Sequence, residues 1–327
     1  MTDQLRDEYD VVVVGGGAAG LSGALTLGRA RRSVAVIDAG APRNAPAEGV
    51  HGLLGREGIA PADLVEQGRG EVRRYGGHVV DATVTSAVRV GDGFEVTLAD
   101  GRTVRARRLL VTTGLVDQLP DIPGLRERWG RDLVHCPYCH GWEVRDRAIG
   151  VLGTGPMSLH QVGLFRQWSA DLTYFVHTGP MPSAEQAEEL AARGIRVVTG
   201  EVVAVETTAD RISGVRLRDG AVVAREVLVA GARMVARAGF LTELGLSVVE
   251  HVSGMGEHIA ADPTGRTEVP GVWVAGNVTD LTAQVGAAAA AAVVAAAQIN
   301  AELIAEETRA AVEEYRNSAR PEAVPVS

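Results

Sequence analysis

Residues 9–20 read YDVVVVGGGAAG, an apolar run that passes directly into a cluster of glycines. A run of this kind, without alternating polar residues, is typical of a strand buried on both faces of a parallel sheet. Residues 21–31 have a helical pattern, and a second apolar run at 33–37 ends at Asp38. The order strand, glycine turn, helix, strand predicts a βαβ unit and an α/β protein.

The glycines of this turn, Gly15, Gly17 and Gly20, have the G-x-G-x-x-G spacing of dinucleotide-binding proteins. Their small size lets the backbone approach a pyrophosphate, which then lies at the N-terminus of the helix. Asp38 follows at about the expected spacing and can accept hydrogen bonds from ribose hydroxyls. The alternative is a tight turn that holds no ligand. The position of the glycines between a buried strand and a helix favours the nucleotide.

A second unit of the same kind is predicted further along the chain, with strands at 147–152 and 172–176 and a helix at 157–168. Its glycine turn is poorer, because Ser158 stands where the third glycine is expected and Pro156 lacks a backbone donor. Residues 176–179 read VHTG and offer no cluster of basic side chains for a 2′-phosphate. The pattern predicts a Rossmann-like domain and leaves open whether it binds NAD(P)H.

The remaining elements complete two domains. Residues 119–124 are expected to form a linker, and strands are expected at 196–205 and 212–218. A long alanine-rich helix is predicted over about 283–315, and the polar residues 317–327 are predicted to be a flexible tail.

Composition limits the class of protein. The 327 residues are enough for two domains, and 46% hydrophobic with 22% charged residues is typical of globular proteins. The net charge of -9 argues against nucleic acid as a partner. The start of the chain has no signal-peptide pattern, and we expect the apolar run 286–299 to be too short to span a bilayer. These features predict a cytoplasmic protein without a membrane partner.

Both cysteines of the chain stand in the segment 135–140, which reads HCPYCH. This C-x-x-C spacing lets the two sulfurs form a disulfide across one turn, which in a reducing compartment is catalytic and not structural. The same residues are compatible with c-type haem attachment, with a metal site of two Cys and two His, or with buried structural cysteines. We favour the redox disulfide. Haem attachment usually accompanies export, and four ligands within six residues can hardly surround a tetrahedral ion.

With these motifs the chain resembles the low-molecular-weight thioredoxin reductases over nearly its full length. The resemblance is carried by the first glycine motif, by Thr112-Thr113-Gly114, by the C-x-x-C, and by 271–277, GVWVAGN, followed by AQV at 283–285. It implies two Rossmann-like dinucleotide-binding domains, the second inserted into the first. The FAD-binding domain would comprise residues 1–117 and 237–316, and the NAD(P)H-like domain with the C-x-x-C would comprise residues 118–236.

The same resemblance implies a homodimer and a set of residues that hold FAD, with no metal ion at the site. These cofactor residues would be Gly15, Gly17, Ala18, Ala19, Gly20, Asp38, Ala39, Arg43, Asn44, His51, Thr113, Gly114, Gly276, Asn277, Gln284 and Val285. The positive N-terminal end of the helix after Gln284 would stabilise the negative charge of the reduced flavin.

Three departures from the family pattern point to one branch of it. His140 stands where the thioredoxin reductases have Asp, Asn277 replaces an acidic residue, and a basic motif for NADPH is missing. In these respects the chain resembles the flavin-dependent dithiol oxidases that close disulfides in natural products such as gliotoxin and holomycin. In those enzymes a small-molecule dithiol replaces NADPH as electron donor, and O2 is the acceptor.

The expected catalytic residues are Cys136 and Cys139, whose roles the resemblance implies, and His140, whose role follows from the chemistry of histidine. The substrate would attack Cys136, Cys139 would lie nearer the flavin, and electrons would pass through FAD to O2 to give H2O2. His140 is the expected base, because a histidine near neutrality can take a thiol proton and return it. Its alternative role is that of a helix-end residue bonded to backbone. His135 is a weaker candidate for the base.

Two other functions stay open on the sequence. One is an NAD(P)H-dependent disulfide reductase that serves thioredoxin or a similar protein. The other is a flavoprotein that senses redox state or binds a ligand without turnover.

Overall fold

The computed structural model describes residues 3–155 and 157–318, which form four β-sheets and six α-helices. The strands, in chain order, are β1 (Glu8–Val14), β2 (Val34–Asp38), β3 (His78–Asp81), β4 (Val84–Val90), β5 (Gly93–Leu98), β6 (Thr103–Val111), β7 (Leu115–Gln118), β8 (Leu133–Val134), β9 (Ile149–Leu152), β10 (Leu172–Phe175), β11 (Arg196–Val198), β12 (Val202–Thr208), β13 (Arg211–Leu217), β14 (Val222–Val223), β15 (Val227–Val229), β16 (Arg233–Ala236), β17 (Val249–Glu250), β18 (Gly256–His258) and β19 (Val272–Val274). The α-helices are α1 (Ala18–Arg29), α2 (Pro61–Arg74), α3 (Pro137–His140), α4 (Ser158–Phe165), α5 (Ala184–Ala192) and α6 (Val285–Ser318). Short 3-10 turns lie at Arg126–Arg128, Gly239–Leu244 and Gly276–Val278.

The first domain is built on a seven-stranded sheet in the order β3-β2-β1-β6-β5-β4, with β19 paired to β6. Strand β1 lies parallel to β2 on one side and to β6 on the other. Its valines are buried on both faces: Val11 and Val13 pack with α1 and α6, and Val12 and Val14 pack on the opposite side. The uninterrupted apolar run therefore has the two-sided burial that the sequence predicted.

Helix α6 covers one face of this sheet. Its small buried residues, among them Ala292 and Ala295, pack with α1, and a Cβ at Gly23 of α1 would lie 3.4 Å from the carbonyl oxygen of Ala292. The second half of α6 is tied to β6, because Arg108 donates to Glu302 at 2.8 Å and to Glu306 at 2.5 Å. Small residues and ion pairs together hold the helix close to the domain.

Helix α6 is longer than the apolar run 286–299, which we expected to be too short to span a bilayer. The helix continues through polar residues to Ser318, and by length and composition alone it is long enough to cross a membrane. About a third of its most apolar stretch, 33%, is buried. The expectation that the segment around 286–299 is too short to span a bilayer is therefore wrong for the length of the helix that contains it. A single such helix is weak evidence for a membrane span, since the core helix of a domain has the same length and composition.

The second domain has a five-stranded parallel sheet in the order β11-β10-β9-β15-β8. One face packs on α4 and α5 through residues such as Phe165 and Leu190. The other face packs on the antiparallel sheet β12-β13-β14 through residues such as Phe175 and Val215. This is the second Rossmann-like unit that the sequence predicted.

The two domains are joined by a pair of antiparallel strands. In the sheet β17-β18-β16-β7, Leu115 of β7 lies opposite Ala236 of β16, and Gln118 lies opposite Arg233. The chain leaves the first domain through β7 and returns through β16, so the second domain is inserted into the first. The predicted boundaries after residue 117 and before residue 237 fall within β7 and directly after β16, and they stay predictions.

Some predicted elements have other limits in the structure. The strand expected at 196–205 is two strands, β11 and β12, because Gly200 turns the chain with a φ of +103°. Asn317 and Ser318, predicted to begin a flexible tail, belong to α6. The rest of that tail lies outside the described residues.

Candidate active site

The first glycine turn is shaped for close approach to its backbone. Gly15 has a φ of +107°, and a Cβ there would lie 2.5 Å from the carbonyl oxygen of Thr112. A Cβ at Gly20 would lie 1.8 Å from the carbonyl oxygen of Gly15, so Gly20 supports the turn from behind. A Cβ at Gly17 would meet no atom of the described residues within 4 Å. This side of the turn is open, and α1 starts there without a side-chain cap, so its first N–H groups are available to a phosphate.

A cavity of about 850 Å³ extends from this turn to the two cysteines. All the predicted FAD residues except Gly20 lie in its wall. They are Gly15, Gly17, Ala18, Ala19, Asp38, Ala39, Arg43, Asn44, His51, Thr113, Gly114, Gly276, Asn277, Gln284 and Val285. The fold therefore brings to one cavity segments that are up to 270 positions apart in the chain. The cavity is of the size that small-molecule and cofactor sites usually have.

Asp38, at the end of β2, lies beside the glycine turn. Its Oδ1 accepts a hydrogen bond from the backbone N–H of Gly16 at 3.1 Å, and its Oδ2 accepts one from Arg69 at 2.6 Å. A carboxylate can accept about four hydrogen bonds, so capacity for a ribose hydroxyl remains. The sequence motif located Asp38 but gave no signal for Arg69, which lies on α2.

Arg43, Asp117 and Asn277 form a second polar group in the cavity wall. Arg43 donates two hydrogen bonds to the carboxylate of Asp117, both at 2.7 Å, and a third at 3.3 Å to the side-chain oxygen of Asn277. The Asn277 amide donates in turn to the carbonyl oxygen of Ala283 at 3.0 Å. Asparagine at this position thus fastens the loop before α6 through its amide, which an acidic side chain could not do. Sequence reasoning missed Asp117.

The two cysteines form a disulfide at the start of α3, with Cα atoms 5.3 Å apart. Cys136 is the N-cap residue of this short helix, and Pro137 occupies its first turn. The amide of Gln284, from the first domain, lies 4.0 Å from the sulfur of Cys136. The disulfide of one domain therefore meets the predicted flavin-binding segment of the other inside one cavity.

His140 follows the disulfide and lines the same cavity. Both its ring nitrogens are buried, and neither has a hydrogen-bond partner within the described part of the chain. Burial lowers the pKa of His140, an effect that Glu143 opposes and that His51 adds to. A neutral imidazole of this kind can accept a proton.

His135 is held differently. Its ring stacks on Trp129 with centroids 5.2 Å apart, and burial lowers its pKa to about 4. It therefore stays neutral over the physiological range.

Among residues 3–155 and 157–318, no group of three or more His, Cys, Asp or Glu side chains is placed to hold a metal ion.

His51 lies in the loop between β2 and α2 and reaches both domains. Its Nδ1 lies 2.7 Å from a carboxylate oxygen of Glu57, and its Nε2 lies 3.6 Å from one of Glu143. The sequence gave His51 as a residue of a glycine-rich loop that lines the flavin or the substrate side, with a solvated loop histidine as the alternative. It gave no signal for either glutamate.

The second glycine turn is closed by its own chain. The hydroxyl of Ser158 accepts hydrogen bonds from the backbone N–H groups of Thr154 at 3.1 Å and Gly155 at 3.2 Å, and Ser158 is buried. Beyond β10, the ring of His177 accepts the backbone N–H of Val202 at 3.1 Å. Pro156, expected to lack a donor here, lies outside the described residues. The turn therefore offers a phosphate fewer free donors than the first one does.

Comparison with known proteins agrees with this architecture. The family described as pyridine nucleotide-disulphide oxidoreductase matches residues 9–298. Thioredoxin reductase tcpT of Claviceps purpurea is 32% identical over 292 residues, which cover 82% of this chain and 86% of that protein. Thioredoxin reductase sirT of Leptosphaeria maculans is 31% identical over 287 residues, with coverage of 82% and 86%. The crystal structure of HlmI is 42% identical with a TM-score of 0.90, and the match covers 98% of this chain and 100% of that one.

These matches confirm the resemblance that the motifs indicated and the fold of two dinucleotide-binding domains. Proteins of this family are in general flavoenzymes that exchange electrons with disulfides. On this sequence, fold and site, the chain belongs to the pyridine nucleotide-disulphide oxidoreductase family and is thioredoxin-reductase-like over most of its length.

Proposed function

We propose that this protein is an FAD-dependent dithiol oxidase that closes an intramolecular disulfide in a small-molecule dithiol. The overall reaction is R(SH)2 + O2 → RS2 + H2O2, and two electrons pass through Cys136 and Cys139 to FAD and then to O2. The observation that carries the proposal is Ser158, whose hydroxyl fills the glycine turn where a nicotinamide cofactor would place its pyrophosphate.

Ser158 makes binding of a nicotinamide cofactor at this turn unfavourable. The N–H groups of Thr154 and Gly155 already have an acceptor, so a phosphate would have to displace a buried hydroxyl. Each displaced hydrogen bond costs about 1 kcal/mol. The segment 176–179 adds no basic side chain to compensate. A dithiol needs none of these contacts, because it delivers its electrons directly to the disulfide.

The residues of the first domain fit FAD. Gly17 leaves an open face at the start of α1 for a pyrophosphate, and Asp38 lies at the end of β2 for a ribose. FAD bound there would supply a two-electron acceptor that O2 can reoxidise. Because the cavity continues to the disulfide, the chain itself needs only to hold substrate, cysteines and cofactor in line.

The cysteines would carry the electrons by two exchanges. A substrate thiolate attacks the sulfur of Cys136, the enzyme disulfide breaks, and Cys139 leaves as a thiolate. The second substrate thiolate attacks the substrate sulfur of the mixed disulfide, so the cyclic product leaves and Cys136 is released as a thiolate. The enzyme disulfide closes again when the two electrons are passed on to the cofactor.

His140 is the proposed base for these exchanges. Only a thiolate attacks, so each substrate thiol must first give up a proton. Burial lowers the pKa of His140 and keeps the ring neutral near pH 7, in the form that accepts protons. The residue lines the cavity directly after Cys139 in the chain, and its buried ring nitrogens have no hydrogen-bond partner among the described residues.

An NAD(P)H-dependent disulfide reductase is the second candidate, because both matched relatives are named thioredoxin reductase. The missing basic cluster counts against NADPH, whereas NADH has no 2′-phosphate to be bound. The closed turn at Ser158 counts against both.

We also propose a homodimer, as in the resembled family. The outward side of α6 carries apolar residues, Val293 at 42% and Val294 at 44% exposure, which a second copy could cover. Light scattering on the purified protein tests this, and a monomer at micromolar concentration would contradict it.

The test of function is anaerobic. The yellow protein is mixed separately with dithiothreitol, NADPH and NADH while the visible flavin band is followed. We expect rapid bleaching by the dithiol alone, and H2O2 in stoichiometric amount when air is admitted. Rapid bleaching by either nicotinamide would overturn the oxidase and favour the reductase.

A further inference from the structure

Four titratable side chains meet where the two domains face each other. His51 and Glu57 come from the loop before α2, and His140 and Glu143 come from α3 and the turn after it. The side chains of Glu57, Glu143 and His51 are 67%, 39% and 24% exposed, and the ring nitrogens of His140 are buried. The group thus leads from the surface to the side of the disulfide.

The orientation of His51 is fixed by Glu57. One oxygen of that carboxylate lies 2.7 Å from Nδ1 of His51, and the other accepts the backbone N–H of Gly52 at 2.8 Å. These hydrogen bonds lower the pKa of Glu57, which is therefore an ionised acceptor. Nδ1 must then carry a proton, and the free valence of the ring is at Nε2.

Nε2 of His51 points across the domain boundary. It lies 3.6 Å from the carboxylate of Glu143, which is too long for a hydrogen bond and close enough for an ion pair. A neutral ring would present a lone pair to this carboxylate, whereas a protonated ring presents an N–H. Nε2 thus faces a second carboxylate that can accept a proton.

Glu143 links this pair to His140. It follows His140 by three residues in one helical turn, closed by a 3.3 Å hydrogen bond from the N–H of Val144 to the carbonyl oxygen of His140. The carboxylate of Glu143 raises the pKa of His140 and His51 lowers it, and His135 also interacts electrostatically with the His140 ring. On its other side, His51 shares a small cavity of about 330 Å³ with Asp280 and Gln284.

Oxidation of a dithiol to a disulfide releases two electrons and two protons. A buried base that takes these protons must pass them on before the next turnover. Among the described residues, His140 has no hydrogen-bond partner through which it could do so directly.

We propose that His51, held by Glu57 and facing Glu143, is the relay that carries protons between His140 and solvent. His51 acts through His140 and does not touch the sulfurs. The proton taken from a substrate thiol passes from His140 to Glu143 and on to His51 through intervening water, since neither step has a direct hydrogen bond, and it leaves at the exposed carboxylate of Glu57. The same path returns the two protons that O2 needs to form H2O2. The relay rests on the proposed function, because it serves a cysteine pair reduced by a thiol.

The test follows bleaching of the flavin by dithiothreitol in the FAD-loaded protein, without O2, across the neutral range of pH. His51→Gln removes the relay and keeps a polar side chain, and Glu143→Gln removes the acceptor beside it. Glu48→Gln is the matched control, since this exposed glutamate of the same loop has no hydrogen bond or ion pair among the described residues. FAD content is measured for each protein.

We expect the flavin of His51→Gln and Glu143→Gln to bleach about 10- to 100-fold more slowly. Without the relay, His140 cannot release the proton it has taken, so it no longer speeds the next deprotonation of a thiol. Added imidazole should restore the rate of His51→Gln with concentration and leave wild type and Glu48→Gln unchanged. A larger solvent isotope effect is expected in the slow variants.

Two results would contradict the relay by itself. Wild-type rates in both variants at every pH would refute it, and so would slow rates that imidazole and deuterated solvent leave unchanged, which indicate a structural lesion. If His51→Gln no longer binds FAD, its bleaching rate says nothing about the relay, and the rate of Glu143→Gln then decides whether the relay exists. Failure of dithiothreitol to bleach the wild type is a different result: it refutes the proposed function, and the relay with it.

Discussion

Replacing Gly17 by alanine tests whether the first glycine turn binds a phosphate or is a tight turn that holds no ligand. The added Cβ meets no atom of the described residues within 4 Å. The backbone at Gly17 has a φ of -78° and a ψ of -171°, which alanine adopts without strain. Gly17 is the N-cap of α1, where alanine is less favourable than glycine, so the protein alone should lose no more than about 1 kcal/mol of unfolding free energy.

Binding of FAD should respond very differently. If a pyrophosphate packs on this open face, the methyl group occupies its place and pushes it away from the N–H groups of α1. A loss of about 1.4 kcal/mol or more is expected, which is at least about tenfold in Kd. The assay titrates apoprotein with FAD and follows flavin fluorescence, and urea denaturation of the apoprotein measures stability.

Two other glycines provide the controls. Gly70→Ala, on the exposed side of α2, also adds a Cβ with nothing within 4 Å, and it should leave the Kd for FAD unchanged. Gly20→Ala puts a Cβ 1.8 Å from the carbonyl oxygen of Gly15, and it should destabilise the fold itself. A wild-type Kd in Gly17→Ala would refute the reasoning, because the open face would then not be where the cofactor lies.

Three further substitutions test the site. Cys139→Ser should abolish bleaching of the flavin by a dithiol while the protein stays yellow, and a bleaching variant would show that the electrons bypass the disulfide. His140→Ala should slow bleaching by roughly a hundredfold or more. In the wild type, because burial lowers the pKa of His140, the rate should hold as pH falls to the ordinary value for histidine and decline only below it. A decline that begins above that value would argue against His140 as the base. Ser158→Ala should lower the free energy of unfolding by about 1–2 kcal/mol, because two N–H groups lose their acceptor. Its rate with dithiothreitol should equal that of wild type, and a slower rate would tie the second turn to the dithiol reaction.

The parts of the fold that could be predicted from sequence are those with a local cause. The buried valines of β1, the glycines after them and Asp38 lie within one βαβ unit, and their spacing alone indicates the turn. The two cysteines are likewise close enough in the chain to pair across one turn. The break at Gly200 was missed, because a glycine within an apolar alternation does not show from sequence which φ it will adopt.

The contacts that complete the site have no such local cause. The pairing of His51 with Glu143 and the approach of Gln284 to Cys136 bring together residues from separate domains. The sequence marked Ser158 as a departure from the glycine pattern, but that its hydroxyl bonds to the turn depends on the rotamer it adopts. Arg69 and Asp117 gave no signal, because single charged residues outside a motif are indistinguishable from solvated ones.

The adjacent strands β7 and β16 have a consequence for how such a protein can be built. Since Leu115 lies beside Ala236, the inserted segment begins and ends at a single place on its host. A gene could therefore gain, lose or exchange the whole segment at one site without cutting the sheet that surrounds the first glycine turn. Joining the two strands by a turn of about two to five residues would give a shortened chain. Such a chain would keep the flavin-type half as a scaffold onto which other electron-donating modules could be grafted.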